Sequence, residues 1–160
     1  MKEQILSFLP PEYPWKDRLF VFPELDSTNN RLKVLASQGA PHGTVLIADR
    51  QTVLHNDVTG QTIVIDKSTL LGRKPSMDVP QGAKAVRIVD PTRTTSRNHA
   101  AISIDTDGAL WIEDYGSLNG TYIITNGQET QVTKGTPLKL SAPATVRIGD
   151  QFFQFTEKQA

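Results

Sequence analysis

Cysteine is missing from this 160-residue chain altogether. Its absence excludes disulfides, thiolate nucleophiles and cysteine-ligated metals. Histidine is scarce: His42, His55 and His99 are scattered, with no helix-spaced pair, so no metal site is expected. Net charge is lacking too, since 17 Lys and Arg balance 17 Asp and Glu. Bulk attraction to nucleic acid or to an anionic membrane needs a strong basic excess, so neither is expected as a partner. Only a local cationic patch is left open. No apolar run approaches the ~20 residues that span a bilayer. The opening Met1-Lys2-Glu3-Gln4-Ile5-Leu6-Ser7-Phe8-Leu9 is too short and too acidic for a secretory signal, and Pro10-Pro11 closes it. A cytoplasmic location is the default expectation.

What is present falls into two parts with different patterning. Up to about Thr52 the chain reads as strand, helix, strand. Leu19-Phe20-Val21-Phe22 is a compact apolar run suited to a buried strand. Asp26-Ser27-Thr28 offers helix-capping oxygens, Leu32, Leu35 and Ala36 follow at helical spacing, and Gly39 supplies a stop. Pro41-His42-Gly43 is a turn, and Thr44-Val45-Leu46-Ile47-Ala48 a second strand. Such a βαβ unit has little to pack against on its own, so residues 1–52 are expected to be less stable than the rest.

After Thr52 the helical period vanishes. Short β-type runs recur at Thr62–Ile65, Ala85–Val89, Ala101–Ile104, Leu110–Glu113, Thr121–Ile124, Ala144–Ile148 and Phe152–Phe155. Turn signals separate them: Asp-Gly, Asn-Gly twice, Lys-Gly and Gly-Asp. Many short strands at this spacing indicate an antiparallel sandwich. Trp111 and Phe152 fall in strand patterns and read as core. The composition switch near Thr52 divides the chain into 1–52 and 53–160.

Three clusters in the second part carry the chemistry: Gly72-Arg73, Ser96-Arg97-Asn98-His99, and Ser117-Leu118-Asn119-Gly120-Thr121. Each joins a turn former to a hydrogen-bond donor, and none holds the acid-base pair that catalysis needs. An arginine fork, a hydroxyl and a side-chain amide on three loops make a receptor for an oxyanion carried on a peptide. By itself a strand-end Gly-Arg is a turn with a solvated charge; the full constellation changes that reading.

From about Val53 to Lys158 the chain resembles a forkhead-associated (FHA) domain. The resemblance rests on Leu70-Leu71-Gly72-Arg73, Ser96-Arg97-Asn98-His99-Ala100, Asp114-Tyr115-Gly116-Ser117-Leu118-Asn119-Gly120-Thr121 and Asn126-Gly127, in that order and spacing. It implies a mainly β fold, an antiparallel β-sandwich of about eleven strands with a ligand site in the loops at one end, and recognition of phosphothreonine peptides. Phosphothreonine carries about −1.5 to −2 charges and three strong acceptor oxygens. Arg73 would meet it with a planar charged fork, and Ser96 would donate its hydroxyl to a second oxygen. Arg97 adds charge or holds the peptide backbone; many family members have asparagine there. Asn119 would hold the extended peptide main chain. Leu118 stands where some members place a threonine, so that only its backbone N–H is available. His99 is read as a structural brace, Gly72, Gly116 and Gly120 as backbone requirements of turns, and Ser117 and Thr121 as the fixings of the loop that presents Asn119. Lys74 and Arg93 read as solvated charges that at most widen the positive mouth.

The first part resembles the opening of a biotin protein ligase catalytic domain. The matching stretches are Phe22-Pro23-Glu24-Leu25-Asp26-Ser27-Thr28-Asn29-Asn30, Gly39-Ala40-Pro41-His42-Gly43-Thr44-Val45 and Ala48-Asp49-Arg50-Gln51-Thr52. Carried over, Ser27, Thr28, Asn29 and Gln51 would be remnants of a biotin pocket. The glycine- and arginine-rich loop that should follow is absent, because Val53-Leu54-His55 already begins the next strand. Without cations and amides around the phosphates, activation of a carboxylate loses its electrostatic support, and no ligase activity is expected.

The leading expectation is therefore a phosphothreonine-peptide binding module. It would act without cofactor or catalysis as an adaptor in bacterial-style signalling. The partner would be a Thr-phosphorylated protein, a Ser/Thr kinase or its substrate. The alternatives are a biotin-ligase-related protein with residual biotin binding, and a structural interaction domain whose phosphosite is unused.

Overall fold

The computed structural model describes residues 2–7, 16–22, 28–48 and 50–159 of the chain. Helix α1 (Lys2–Ser7) and one 3-10 turn (Lys16–Arg18) precede strand β1 (Leu19–Phe22), helix α2 (Thr28–Ser37) and strand β2 (Val45–Ala48). β1 and β2 pair in parallel, with Leu19 opposite Val45 and Phe22 opposite Ala48, which makes the strand-helix-strand unit read from the apolar runs. Helix α2 stops where Gly39 turns left-handed at φ 84°. The Gly39 N–H donates to the Ala36 carbonyl and the Ala40 N–H to the Leu35 carbonyl, satisfying the last-turn carbonyls. The Arg18 guanidinium ties the start of β1 to the turn before β2 through the His42 carbonyl at 2.6 Å. Asp26 and Ser27, expected to cap α2, lie outside the described residues.

The remaining strands are β3 (Arg50–His55), β4 (Thr62–Val64), β5 (Thr69–Gly72), β6 (Lys84–Arg87), β7 (Ala100–Ile104) and β8 (Leu110–Asp114). They continue as β9 (Thr121–Thr125), β10 (Gln128–Val132), β11 (Leu138–Leu140), β12 (Ala144–Ile148) and β13 (Gln151–Gln159). One sheet has the order β10-β9-β12-β13-β3-β4 and the other β11-β8-β7-β5-β6, so the expected mainly antiparallel sandwich is built of eleven strands. Only β5 and β6 pair in parallel within it. Pairing begins at Arg50, opposite Gln159 on β13, so β3 runs across the composition boundary at 52/53. A backbone ladder carries no compositional signature.

Side chains alternate between the sheet faces with period two. Leu110, Ile112 and Asp114 of β8 point inward, as do Ala144, Val146 and Ile148 of β12. Phe153 and Phe155 of β13 meet Leu54, Leu71 and Ile102 in the core. Besides β3 and β5, two strands lie outside the apolar runs named above. β11 is only three residues long. β10 exposes Gln128 to Gln131 and buries only Val132; it is held by the hairpin turn Asn126-Gly127, both residues having φ above 50°.

Two core assignments are corrected by the register. With Phe153 and Phe155 inside, Phe152 must face outward, and it is 48 % exposed. There the Arg147 guanidinium lies 5.6 Å from its ring centroid and 5.0 Å from that of Tyr122. Trp111, flanked by the buried Leu110 and Ile112, is only half-buried and donates its indole N–H to Asp105 at 2.9 Å. The contrast within one strand is measurable. Phe153→Ala is expected to lower stability by about 3–5 kcal/mol, and Phe152→Ala by less than about 1 kcal/mol, as read from urea midpoints.

Candidate functional site

β7 runs antiparallel to both β5 and β8. Where β7 starts, β5 and β8 therefore end, and one edge of the sandwich collects all three sequence clusters. Arg73 follows β5, Ser96 to His99 lead into β7, and Ser117 to Gly120 link β8 to β9. Ile148, at the end of β12, pairs with both Thr121 and Gln151, which brings the Gly149-Asp150 turn to the same edge.

Hydrogen bonds lock the loops together. The backbone N–H of Arg73 donates to the Ser96 carbonyl at 2.9 Å, and its Nε to the Thr95 carbonyl at 3.3 Å. The N–H of Leu118 donates to Ser96 Oγ at 3.1 Å. Asn119 Nδ2 donates to the Thr94 carbonyl at 2.8 Å. From the other sheet, Gly149 N–H reaches the Gly120 carbonyl at 3.0 Å and Asp150 N–H reaches Thr94 Oγ1 at 2.8 Å.

His99 is the tie between them. Its side chain is 0 % exposed. Nδ1 accepts the Ser96 N–H at 3.0 Å, so Nε2 carries the proton and donates to the Gly120 carbonyl at 2.8 Å. Its backbone joins the neighbouring strands as well, N–H to the Leu71 carbonyl and carbonyl to the Tyr115 N–H. Burial pushes its pKa below the ordinary histidine value, outweighing the Gly120 carbonyl and the fields of Asp114 and Asp90.

The third loop is wound around a buried carboxylate. Asp114 Oδ1 accepts the N–H groups of Gly116 and Ser117 at 2.8 and 2.9 Å, while Oδ2 accepts the hydroxyls of Ser117 and Thr121 at 2.6 and 2.7 Å. Ser117 Oγ in turn accepts the Gly120 N–H at 3.0 Å. Burial works to raise the Asp114 pKa, but these donors hold it below the ordinary value. Asp90 organises the second loop in the same way. Burial opposes its charge, and hydrogen bonds from Thr92 and Thr95 outweigh this and lower its pKa to about 2. Neither aspartate stands out as a site residue in the sequence. For Asp114 the available signal is Asp-x-Gly-Ser at the end of an apolar run, a pattern that lets a carboxylate collect the next backbone amides.

Gly72 needs a different reason from the one its turn-like context suggests. It is the last residue of β5 and lies flush against the Ser96-Arg97 backbone. An added Cβ would stand 1.8 Å from the Arg97 carbonyl oxygen. Close approach sets this position, whereas Gly116 and Gly120 do adopt left-handed turn conformations at φ 77° and 82°.

The side chains left facing solvent are those of Arg73, Arg97, Leu118 and Asn119, with Ser96 half-buried between them. Leu118 is 89 % exposed. Its N–H is already engaged by Ser96 Oγ, so the Ser96 hydroxyl, having accepted that bond, keeps its own hydrogen to donate outward. Asn119 has spent one amide hydrogen and retains the other together with its carbonyl. Among the described residues, no carboxylate forms an ion pair with Arg73. Of the biotin-pocket residues, Ser27 lies outside the described residues, Thr28 and Asn29 open α2, and Gln51 is an exposed residue of β3 opposite Lys158. Among the described residues no cluster of His, Asp and Glu could hold a metal ion.

The FHA domain family model matches residues 69–149. The chain belongs to the FHA domain family. Solved structures similar to this FHA chain include a domain studied for phosphothreonine-dependent FHA interactions. It is 24% identical, covers 66% of this chain and 95% of the other, and has a TM-score of 0.48. The FHA domain of the CT664 protein from Chlamydia trachomatis is 25% identical over 69% of this chain and 99% of that one, with a TM-score of 0.47. An FHA domain of an Arabidopsis thaliana hypothetical protein is 19% identical over 69% and 86%, with a TM-score of 0.49. No curated protein matches the chain.

Two outcomes follow from this geometry. Gly72→Ala is expected to cost about 1–3 kcal/mol, because two backbones would have to separate, and a thermal melt reads it. His99 provides the second. Its folded pKa is depressed, so the unfolded chain protonates first as pH falls, and stability should decline below about pH 6.5 until the folded pKa is reached. Urea midpoints across this range should show that slope in the wild type and lose it in His99→Gln.

Proposed function

We propose that this FHA domain binds threonine-phosphorylated peptides and serves as a non-catalytic adaptor in Ser/Thr-kinase signalling. The observation that carries the reading is the convergence of an exposed, carboxylate-free Arg73 guanidinium with the Ser96 hydroxyl and the Asn119 amide on three interlocked loops. A phosphate monoester near −2 charge wants short, charge-assisted bonds. Arg73 supplies two NH2 donors beyond the Nε already used, and Ser96 supplies its free hydrogen. The remaining amide hydrogen and carbonyl of Asn119 suit the peptide main chain beside the phosphothreonine. Arg97 adds charge at the rim. The donors are held in place before the ligand arrives, so little ordering entropy is lost on binding.

Binding rather than chemistry is also what the histidine favours. A general base needs a free ring nitrogen, and both nitrogens of His99 are engaged in the protein. The partner class is a Ser/Thr kinase carrying phosphothreonine, or a substrate of one.

Titration of one phosphothreonine peptide against the wild type and Arg73→Ala tests the reading. Loss of a charged hydrogen bond costs about 1.5–3 kcal/mol, roughly ten- to a hundredfold in affinity, and Ser96→Ala should weaken binding in the same direction. Equal affinity of the wild type for the phosphorylated and the plain peptide would refute it.

A further inference from the structure

The positive surface does not stop at Arg73. A groove of about 900 Å³ opens beside it, lined by Arg73, Lys74, Arg87 and Arg93 together with the apolar Val89 and Pro91. Four cations meet here in a chain whose formal charge is zero, so the patch is not a by-product of general basicity. Among the described residues, no carboxylate forms an ion pair with any of the four. The single acid of the lining, Asp90, is committed inward. Its Oδ1 accepts the Thr92 N–H, the Thr92 hydroxyl and the Gln151 amide at 3.0, 2.7 and 2.9 Å, and its Oδ2 the Thr95 N–H at 2.7 Å. Those bonds turn the carboxylate into its own loop, so that its one negative charge, set against four positive ones, leaves the lining net positive.

The groove is also prebuilt. The Gln61 side chain donates to the Arg87 carbonyl at 2.7 Å and accepts the Val89 N–H at 2.9 Å, pinning the segment between two arginines. The Ile88 N–H donates to the Gly72 carbonyl at 2.8 Å. Arg93 is held at φ 58°, a left-handed conformation that costs a residue with a Cβ. The Asp90 bonds to Thr92 and Thr95 on either side of it enforce that conformation. Arg93 thus shares one lining with Arg73, Lys74 and Arg87, an uncompensated cluster whose field favours an anion.

We propose that this groove receives an anionic flank of the bound peptide, either carboxylates or a second phosphate, on one side of the phosphothreonine. The proposal rests on the phosphothreonine reading and adds the ligand's sequence class to it. Arg73 is common to both sites, so an extended peptide anchored there has its flank at the mouth of the groove.

The test uses peptides that share one phosphothreonine: with neutral flanks, with Asp and Glu before it, with Asp and Glu after it, and with a second phosphorylated residue. Each is titrated against the wild type and an Arg87→Gln, Arg93→Gly double variant. Glycine accepts the left-handed backbone, so the double variant should keep its thermal midpoint. The wild type should prefer an anionic-flank peptide over the neutral one by roughly three- to tenfold. That ratio should shrink in high salt and approach one in the double variant. A preference confined to the doubly phosphorylated peptide identifies a second phosphate; one shared by the acidic peptides identifies carboxylates. Equal wild-type affinity for neutral and anionic flanks overturns the groove while leaving phosphothreonine binding intact, as does a preference that survives in the double variant. If no phosphothreonine peptide binds, the underlying reading fails and the groove fails with it.

Discussion

The edge where the three loops meet depends on one neutral imidazole. His99 receives a proton bond from the Ser96 backbone on one side and gives one to the Gly120 carbonyl on the other. The two loops that carry Ser96 and Asn119 are thus set at a distance fixed by the width of a ring. A charged ring could not accept from Ser96, and a smaller side chain could not span the gap. Burial keeps the ring neutral and excludes water that would compete for the same groups. The exposed donors owe their positions to this hidden contact together with the bonds of Arg73, Leu118 and Asn119 to the Thr94–Ser96 segment.

Two aspartates extend the same logic. Asp114 gathers amides and hydroxyls of the third loop, and Asp90 those of the second. A carboxylate that collects several donors stiffens a short loop without needing apolar bulk. The surface consequence is a separation of charge. The acids face the protein interior of the loops, and the arginines face solvent.

Much of this was legible in the chain and some was not. The sandwich could be read because Leu110-Trp111-Ile112 and Ala144-Thr145-Val146 alternate and because Gly-Arg, Ser-Arg-Asn-His and Asn-Gly-Thr recur at family spacing. β10 was silent because an edge strand with Gln, Glu and Thr in water needs no apolar pattern. Phe152 misled because three aromatics lie within four residues and period two admits only one parity. Gly72 revealed that something special happens there but not what, since the close approach of Arg97 comes from a partner 25 positions away. The basic groove was illegible for the same reason: Lys74 and Arg93 read singly as solvated charges, and Arg87 carries no signal of its own. Only the pairing of β6 with β5, which sets Arg87 opposite Gly72, brings them together.

The register of β3 on β13 has a bearing on how the domain is carried. Arg50, where the polypeptide enters the sandwich, is the ladder neighbour of Gln159, near where it leaves. Gln151, at the opposite terminus of β13, adjoins the loop edge. At about 3.3 Å per residue, nine residues of strand separate the two by roughly 26 Å. A segment joined ahead of Arg50 or behind Gln159 therefore attaches at the end of the sandwich remote from the three loops.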